Sequence, residues 1–345
     1  MARSNGTRVR LGVALAGPAA LLAAACAGPG GPELEHDWSG ATTFALTRVD
    51  GLVTVVGVDP RRARARSLAV VPQRSDDAET LSPRLVRLAD GRWLVDVPRE
   101  GHGPDRRYLV NRRERVLDSL PGDERLRQVL PGRTLVAEVA SLPDAETAGR
   151  APASTVLVRD PADWSTLREL KIPGPVALTA SDPGSDTVCL GGGTRVTVAE
   201  LTGGRVRPVT VPAGEDIVGL ACPGGRPVIV RSAVGRSPGG VRATLARTED
   251  ATTVTVAGGR VDSVAAHGSS LVLAVADGDS TQVIEIDAVT GGERHRVRIA
   301  GMTVSHALTW SPEGWLVYTE NAVTRVEPAT GRMRGFPLPG TLLDA

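Results

Sequence analysis

The chain has 345 residues, 39 arginines but a single lysine (Lys171), and a formal net charge of +1. This balance excludes the strongly basic surface that indicates a nucleic-acid or other polyanion partner, so we predict no nucleic-acid binding. The length exceeds that of one average domain, although a single all-β domain can be this long.

The N-terminus has the features of a secretory signal peptide. Arg3, Arg8 and Arg10 precede the uncharged run "LGVALAGPAALLAAAC". A positive start followed by a short apolar run is typical of a signal peptide, which we predict over residues 1–25. The run is too short for a comfortable membrane-spanning helix, which takes about 20 apolar residues.

The end of this run predicts a lipid anchor. "LLAAAC" resembles a bacterial lipobox, which implies that Cys26 is acylated and becomes the first residue of the mature protein. The alternative is a plain cleavable signal in which this cysteine is incidental. Residues 26–40, rich in Gly and Pro, are predicted to form a flexible tether. The predicted location is the outer face of the cell membrane.

A turn followed by a short apolar run recurs along the rest of the chain, as in "DGRWLVDV" and "PEGWLVYT". The residue before each apolar pair marks one repeat, and the seven markers are Gly51, Trp93, Thr134, Thr187, Pro227, Ser270 and Trp315. They are 42, 41, 53, 40, 43 and 45 residues apart, which is the period of propeller blades. Period-two alternation, as in "TRVTVAE", favours strands over the helices of a solenoid.

The sequence therefore predicts an all-β fold, a seven-bladed β-propeller over residues 41–345. The predicted blades are residues 41–80, 81–120, 121–173, 174–216, 217–260, 261–303 and 304–345. The one long interval between markers contains "SLPDAETAGRAPAS", which we interpret as an enlarged loop in the third blade.

The first strand of each repeat is predicted to lie nearest the crowded propeller axis, where small residues fit. Aligned on the markers, the corresponding positions are Thr47, Arg87, Gln128, Thr179, Ala221, Ala265 and Thr309. The outer strands also repeat. Thr290-Gly291 and Thr330-Gly331 are predicted to form the tight turns between them, with glycine at positive φ.

These turns carry a resemblance to a known family. Asp287 to Gly291 matches an Asp-x-x-Thr-Gly turn, and Glu327 to Gly331 matches it with Glu in place of Asp. Both resemble the bacterial YVTN and quinoprotein-like β-propeller repeats, whose architecture is similar to that of WD repeats. The resemblance implies blade architecture. The Trp that follows the turn in quinoprotein blades is absent, so no quinone or other cofactor is predicted.

The sequence identifies no catalytic residue and no metal site. The five histidines, none of them in a metal-ligand spacing, are His36, His102, His267, His295 and His306. His267 and His306 come near the inner strands of the sixth and seventh blades. They form either a pair of structural imidazoles or a catalytic pair.

One basic run stands out, "PRRARAR" at residues 60–66. It is either a solvated loop between two strands or a contact with anionic headgroups or wall polymer.

Two cysteines remain once Cys26 is assigned to the lipid. Cys189 and Cys222 fall near the same end of neighbouring blades, in a compartment that is oxidising if the protein is exported. We predict a disulfide between them. The alternative is two buried free thiols.

These observations predict a lipid-anchored, extracytoplasmic β-propeller that acts as a binding or protein-interaction module. Its partners would be the membrane, through the anchor, and an envelope protein or cell-wall ligand, with the protein itself a monomer. The alternative is a propeller enzyme, either a lactonase-like hydrolase or a sugar or quinone oxidoreductase, with its site at the channel mouth. A lone polar cluster at that mouth would favour the enzyme, and a broad apolar or charged loop face would favour the binding module.

Overall fold

The computed structural model describes residues 31–72, 83–97, 106–120, 128–141, 153–211, 216–233 and 241–345. The chain divides into residues 1–31 and a compact unit from Pro32 to Ala345. The predicted signal peptide, Cys26 and most of the insertion in the third blade lie outside the described residues. Within the described part of the chain, no helix is long and apolar enough to cross a membrane.

The described residues form 28 strands, together with one turn of 3-10 helix at Pro223–Gly225. The first strands in chain order are β1 (Thr43–Val49), β2 (Leu52–Asp59), β3 (Arg64–Val70), β4 (Arg84–Arg87), β5 (Trp93–Val97), β6 (Arg106–Asn111), β7 (Val116–Leu120), β8 (Gln128–Pro131), β9 (Val136–Ser141), β10 (Ala153–Arg159) and β11 (Thr166–Pro173). The middle strands are β12 (Leu178–Ser181), β13 (Thr187–Gly192), β14 (Arg195–Glu200), β15 (Val206–Val209), β16 (Asp216–Ala221), β17 (Val228–Ala233), β18 (Arg242–Arg247) and β19 (Thr252–Ala257). The last strands are β20 (Arg260–His267), β21 (Ser270–Asp277), β22 (Ser280–Asp287), β23 (Glu293–Ala300), β24 (Thr303–Ser311), β25 (Gly314–Thr319), β26 (Ala322–Val326), β27 (Met333–Pro337) and β28 (Thr341–Asp344).

The strands form seven four-stranded sheets, which confirms the predicted all-β, seven-bladed propeller. Blades 2, 3, 4, 6 and 7 are antiparallel sheets in chain order, made of β4–β7, β8–β11, β12–β15, β20–β23 and β24–β27. Blade 1 contains β28 and β1–β3, and blade 5 contains β16–β19.

The core of the described protein is a ring of apolar clusters between blades. Seven clusters of buried side chains occur, and each combines residues from two neighbouring blades. One of them joins blade 7 to blade 1, because Leu342 packs there with Leu316 and Tyr318. Burying one Val, Leu or Ile side chain contributes about 1.5–3 kcal/mol. Each blade is therefore stabilised mainly by its two neighbours.

Strand β28 closes the ring. It occupies the innermost position of blade 1 and pairs with β1, where Leu46 lies opposite Asp344 and Thr47 opposite Leu342. The placement of Thr47 on an innermost strand was therefore wrong, since β1 is the second strand of its sheet. The physical reason is that a strand from the far end of the chain pairs with the free edge of β1 and covers it.

Blade 5 departs from chain order. Its sheet runs β16-β17-β19-β18, and β17 pairs with β19 in parallel. Val254 and Val256 of β19 are fully buried, whereas the described side chains of β18 are half-buried or exposed. The more apolar strand therefore takes the inner position, and β18 forms the outer edge.

The predicted tether is shorter than the sequence analysis expects, because its C-terminal part packs on the propeller. Trp38 is buried in the cluster between blades 1 and 2, beside Phe44 and Trp93. The backbone N–H of Glu35 donates to the carbonyl of Ser67 at 2.8 Å. Residues from Pro32 onwards belong to the compact unit, and flexibility up to residue 40 was a wrong expectation.

The repeated turns between outer strands have the predicted geometry. Gly291 and Gly331 have φ values of +81° and +67°, which an L side chain rarely adopts. The Asp287 carboxylate accepts the backbone N–H groups of Val289 and Thr290, both at 2.8 Å. A bond from Arg294, together with these amides, lowers the pKa of Asp287. The acidic residue of the motif therefore orders the turn.

The structure joins Cys189 and Cys222 in a disulfide, with Cα atoms 5.7 Å apart. Cys189 lies in β13 of blade 4, and Cys222 directly follows β16 of blade 5. The bond therefore links two neighbouring blades near the propeller axis.

We predict that this bond stabilises the folded protein. A non-reducing digest should give one linked peptide pair, and reduction should lower the free energy of unfolding by about 3 to 4 kcal/mol, because the closed loop spans 33 residues. A Cys189→Ser/Cys222→Ser variant should match the reduced protein. Two separately alkylated thiols in the unreduced protein would contradict the prediction.

Candidate functional site

A cavity of about 710 Å³ lies on the propeller axis. Its walls come from the innermost strands of all seven blades, from β4 in blade 2 to β28 in blade 1. It includes residues just beyond the ends of these strands, such as Ala89, Gly184 and Gly268. The cavity therefore reaches the end of the propeller at which the innermost strands terminate, which we call the mouth face.

Strand direction decides which turns share the mouth face. In an antiparallel blade the first and third strands run the same way and end at the same edge. The turns between the first and second strands, and between the third and fourth, therefore lie together on the mouth face. A contact between neighbouring blades agrees with this, since Arg92 of one such turn donates to the carbonyl of Pro161 of another at 3.0 Å.

Most of the positions that the sequence analysis assigned to the axis line the cavity. Six of the seven do so, namely Arg87, Gln128, Thr179, Ala221, Ala265 and Thr309. Thr47 does not, because β28 lies between it and the axis. The alignment on the markers thus identified the channel wall, but not which of its side chains carry a binding function.

An aromatic stack stands at the mouth. The rings of His267 and Trp310 are stacked, with centroids 4.3 Å apart and planes inclined by 15°. Trp315 meets Trp310 edge-on at 5.2 Å and is itself buried. The side chain of His267 is exposed at the mouth, but partial desolvation lowers its pKa, and the negative charge of Asp182 opposes part of that shift. The imidazole is therefore mainly neutral at neutral pH.

Of the two histidines near the inner strands of blades 6 and 7, the structure describes the side chain of His267. The ring partner of His267 is Trp310, which belongs to β24 and follows His306 by four residues. The side chain of His306 lies outside the described residues. Sequence spacing could not reveal the stack, because it depends on which way two neighbouring innermost strands turn their side chains.

Two charged side chains of the mouth have different environments. The guanidinium of Arg87 lies 5.9 Å from the ring centroid of Trp93, and no carboxylate pairs with it among the residues that the structure describes. The Asp182 carboxylate accepts backbone N–H groups of Gly184 at 2.8 Å and Gly224 at 2.7 Å. Asp182 is thus held by the loops of blades 4 and 5, whereas no carboxylate of the described residues engages the donors of Arg87.

Deeper in the cavity, Asp344 of β28 accepts the backbone N–H of Leu85 at 2.7 Å, which ties the closing strand to blade 2. Burial raises the pKa of this carboxyl to about 7, although the Leu85 bond and the charge of Arg84 act in the opposite direction. The closing strand therefore carries a group that titrates near neutral pH.

Four exposed apolar side chains, which we call the rim, lie outside the cavity near the outer strands of their blades. Val116, Leu167, Val289 and Met333 are 43%, 55%, 60% and 49% exposed. Each lies in the turn between the third and fourth strands of its blade or at the start of the fourth strand. All four therefore lie on the mouth face, in blades 2, 3, 6 and 7.

Arginines interrupt this rim in blades 1 and 2. The basic run at residues 60–66 forms the turn between β2 and β3 and the start of β3. Arg61 pairs with Glu313 of blade 7, and Arg64 pairs with Glu35. Arg112 and Arg113 are exposed in the corresponding turn of blade 2. The rim is therefore apolar in part and basic in part.

Within the described residues, no group of three or more His, Cys, Asp or Glu side chains is arranged to hold a metal ion. What the mouth offers chemically is a neutral aromatic stack, an available guanidinium and hydroxyl groups in one concave space. Such a set suits the recognition of a ligand.

No protein-family profile matches the sequence, and no curated protein matches it. Three similar solved structures are a complex of KlAtg21 with the coiled-coil of AgAtg16 (12% identity, 89% of this chain and 99% of that chain, TM-score 0.57), dihydro-heme d1 dehydrogenase NirN in complex with DHE (15% identity, 91% and 76%, TM-score 0.52) and a functionally unknown protein from Desulfotomaculum acetoxidans DSM 771 (10% identity, 87% and 94%, TM-score 0.52). At these identities the likeness supports the fold alone.

The titration of Asp344 yields a prediction. A buried acid whose folded pKa is about 7 holds a proton that the unfolded chain releases near its ordinary pKa of 3.8. The free energy of unfolding should therefore fall as pH rises from about 4 to about 7, by at most about 4 kcal/mol from this group. Asp344→Asn keeps an acceptor for the Leu85 amide and removes the titration.

Denaturant unfolding of both proteins at several pH values checks this. Asp344→Asn should gain stability over the original protein as pH rises, and most of the gain should appear by about pH 8. A difference that stays constant from pH 4 to pH 8 would contradict the prediction.

Proposed function

We propose that the protein is an extracytoplasmic binding module, held at the cell membrane through Cys26 and binding an envelope protein or cell-wall ligand on its mouth face. The observation that supports this most is that the rim of four exposed apolar side chains lies on the same face as the mouth of the axial cavity. A monomer with one free mouth face is the assembly that we propose.

The composition of the rim suits a partner surface. Protein interfaces are enriched in aromatic side chains, Met and Arg, and large apolar side chains exposed together often mark an interaction site. Met333 and Val289 lie on adjacent blades, and the exposed arginines lie on blades 1 and 2. A loop face that is apolar in part and charged in part supports a binding module over an enzyme.

A propeller enzyme is the second candidate. The observation in its favour is that an imidazole, His267, and a carboxylate, Asp182, line the same cavity. Both oxygens of Asp182 accept backbone N–H groups, so this carboxylate is engaged in holding the loops. A binding module therefore explains more of the side chains on the mouth face than an enzyme does.

The anchor is tested by fractionation. Each buried CH₂ of an acyl chain contributes about 0.8 kcal/mol to membrane binding, so acylation at Cys26 dominates over any contact of the tether. Cys26→Ser should move the protein from the membrane fraction to the aqueous fraction. Cys189→Ser/Cys222→Ser is the control and should stay with the membrane. Membrane association that survives Cys26→Ser would contradict the anchor.

The binding surface is tested by affinity capture from solubilised membranes, using the original protein as bait. The double variant Val289→Glu/Met333→Glu should capture at least tenfold less of the partner, because burying a charged side chain at an apolar contact is unfavourable. Met302→Glu is a matched control, since Met302 is 55% exposed and lies between β23 and β24, at the opposite end of the propeller. Equal capture by all three proteins would contradict a mouth-face interface.

A further inference from the structure

We infer that the axial cavity binds a ring compound that carries a carboxylate, with the ring against the His267 and Trp310 stack and the carboxylate at Arg87. This inference rests on the proposed function, because it assigns a ligand chemistry to the same mouth face. Both halves of the site line one cavity of about 710 Å³, a volume typical of small-molecule sites.

The aromatic half of the site is fixed before a ligand arrives. Trp310 is held between two rings, stacked with His267 and in edge contact with Trp315. Its neighbour His267 is exposed at the mouth. A flat ring, either aromatic or the C–H face of a sugar, gains most from such a surface, because little side-chain freedom is lost on binding.

The charged half of the site is Arg87. Its guanidinium is exposed and lies over Trp93, and no carboxylate neutralises it among the described residues. Trp93 is in turn buried against Phe44, with ring centroids 5.6 Å apart. A planar guanidinium supported on an aromatic ring presents two parallel N–H groups, which match the two oxygens of a carboxylate.

The other charged side chains that line the cavity, as far as the structure describes them, do not pair with Arg87. Asp182 is bound by two backbone N–H groups, and Asp344 lies deeper, bonded to Leu85 and close to Arg84. His267 is the remaining titratable group of the cavity, and partial desolvation lowers its pKa. An anionic group is therefore favoured over a cationic one at the Arg87 side of the mouth.

The cavity wall also contains polar atoms without partners. Trp315 is 1% exposed, and its Nε1 has no hydrogen-bond partner within the described residues. The same holds for the Oγ1 of Thr179. Both residues line the cavity. Neither atom is reached by solvent, so both belong to the packing of the wall and the proposed ligand contacts do not include them.

Calorimetric titration of the full mature chain tests the inference with two acids and their neutral analogues. Benzoate with benzyl alcohol probes an aromatic acid, and D-glucuronate with D-glucose probes a sugar acid. At least one acid should bind about tenfold more tightly than its neutral analogue. The pair of compounds that shows this preference tells whether the ring of the ligand is aromatic or a sugar.

Three variants locate the binding. Arg87→Gln should remove the preference for the acid, and Arg87→Lys should keep part of that preference. Trp310→Leu should weaken the binding of the acid and of its neutral analogue to the same extent. Arg298→Gln is the control, since Arg298 is exposed in β23 near its partner Asp277, away from the mouth. Thermal unfolding checks that each variant is folded.

The inference is overturned if neither acid binds more tightly than its neutral analogue, or if Arg87→Gln binds the acid as the original protein does. If the rim variant still loses its captured partner in that case, the proposed function stands and only the ligand chemistry fails. If the rim variant captures as much partner as the original protein while binding of the acid depends on Arg87, the cavity is a small-ligand site without a protein partner.

Discussion

The pairing of β28 with β1 is the constraint on which the rest of the molecule depends. A blade buries its apolar faces only against two neighbours, so an open array of seven blades would expose two of these faces to water. Here Leu342 packs between blades 7 and 1, and the Asp344 carboxylate binds the backbone of Leu85 in blade 2. Four residues at the end of the chain thus join three blades, and the interface between the last and the first blade is completed only when they are in place.

The candidate site follows from this closure. Seven innermost strands that run in one direction must end on one face, and their last side chains surround the axis. That geometry brings together Arg87 of blade 2, Asp182 of blade 4, His267 of blade 6 and Trp310 of blade 7, which are far apart in sequence. The same directionality places the turns that carry the apolar rim on this face. The blades themselves are fixed by packing, whereas the turns and the strand ends are free to carry recognition.

Several features could be read from the sequence because they are local. The markers from Gly51 to Trp315 predicted seven repeats, since a turn followed by an apolar strand recurs at a propeller period, and positive φ at Gly291 follows from its turn. Other features depend on contacts between distant residues. The closure by β28, the exchanged order of β18 and β19, and the burial of Trp38 each require knowing which edge or groove is free to accept a segment. The stack of His267 on Trp310 required side-chain directions on two blades, which spacing does not give.

Native-state hydrogen exchange of residues 339–345 tests the closed ring most directly. If β28 completes blade 1, amides of this segment that are bonded within the fold, such as that of Leu342, should exchange only through global unfolding, at the same free energy as the central strands of blade 6. Exchange of these amides at a free energy several kcal/mol below that of blade 6 would show that the strand opens on its own. That result would contradict a propeller held together by its closing strand.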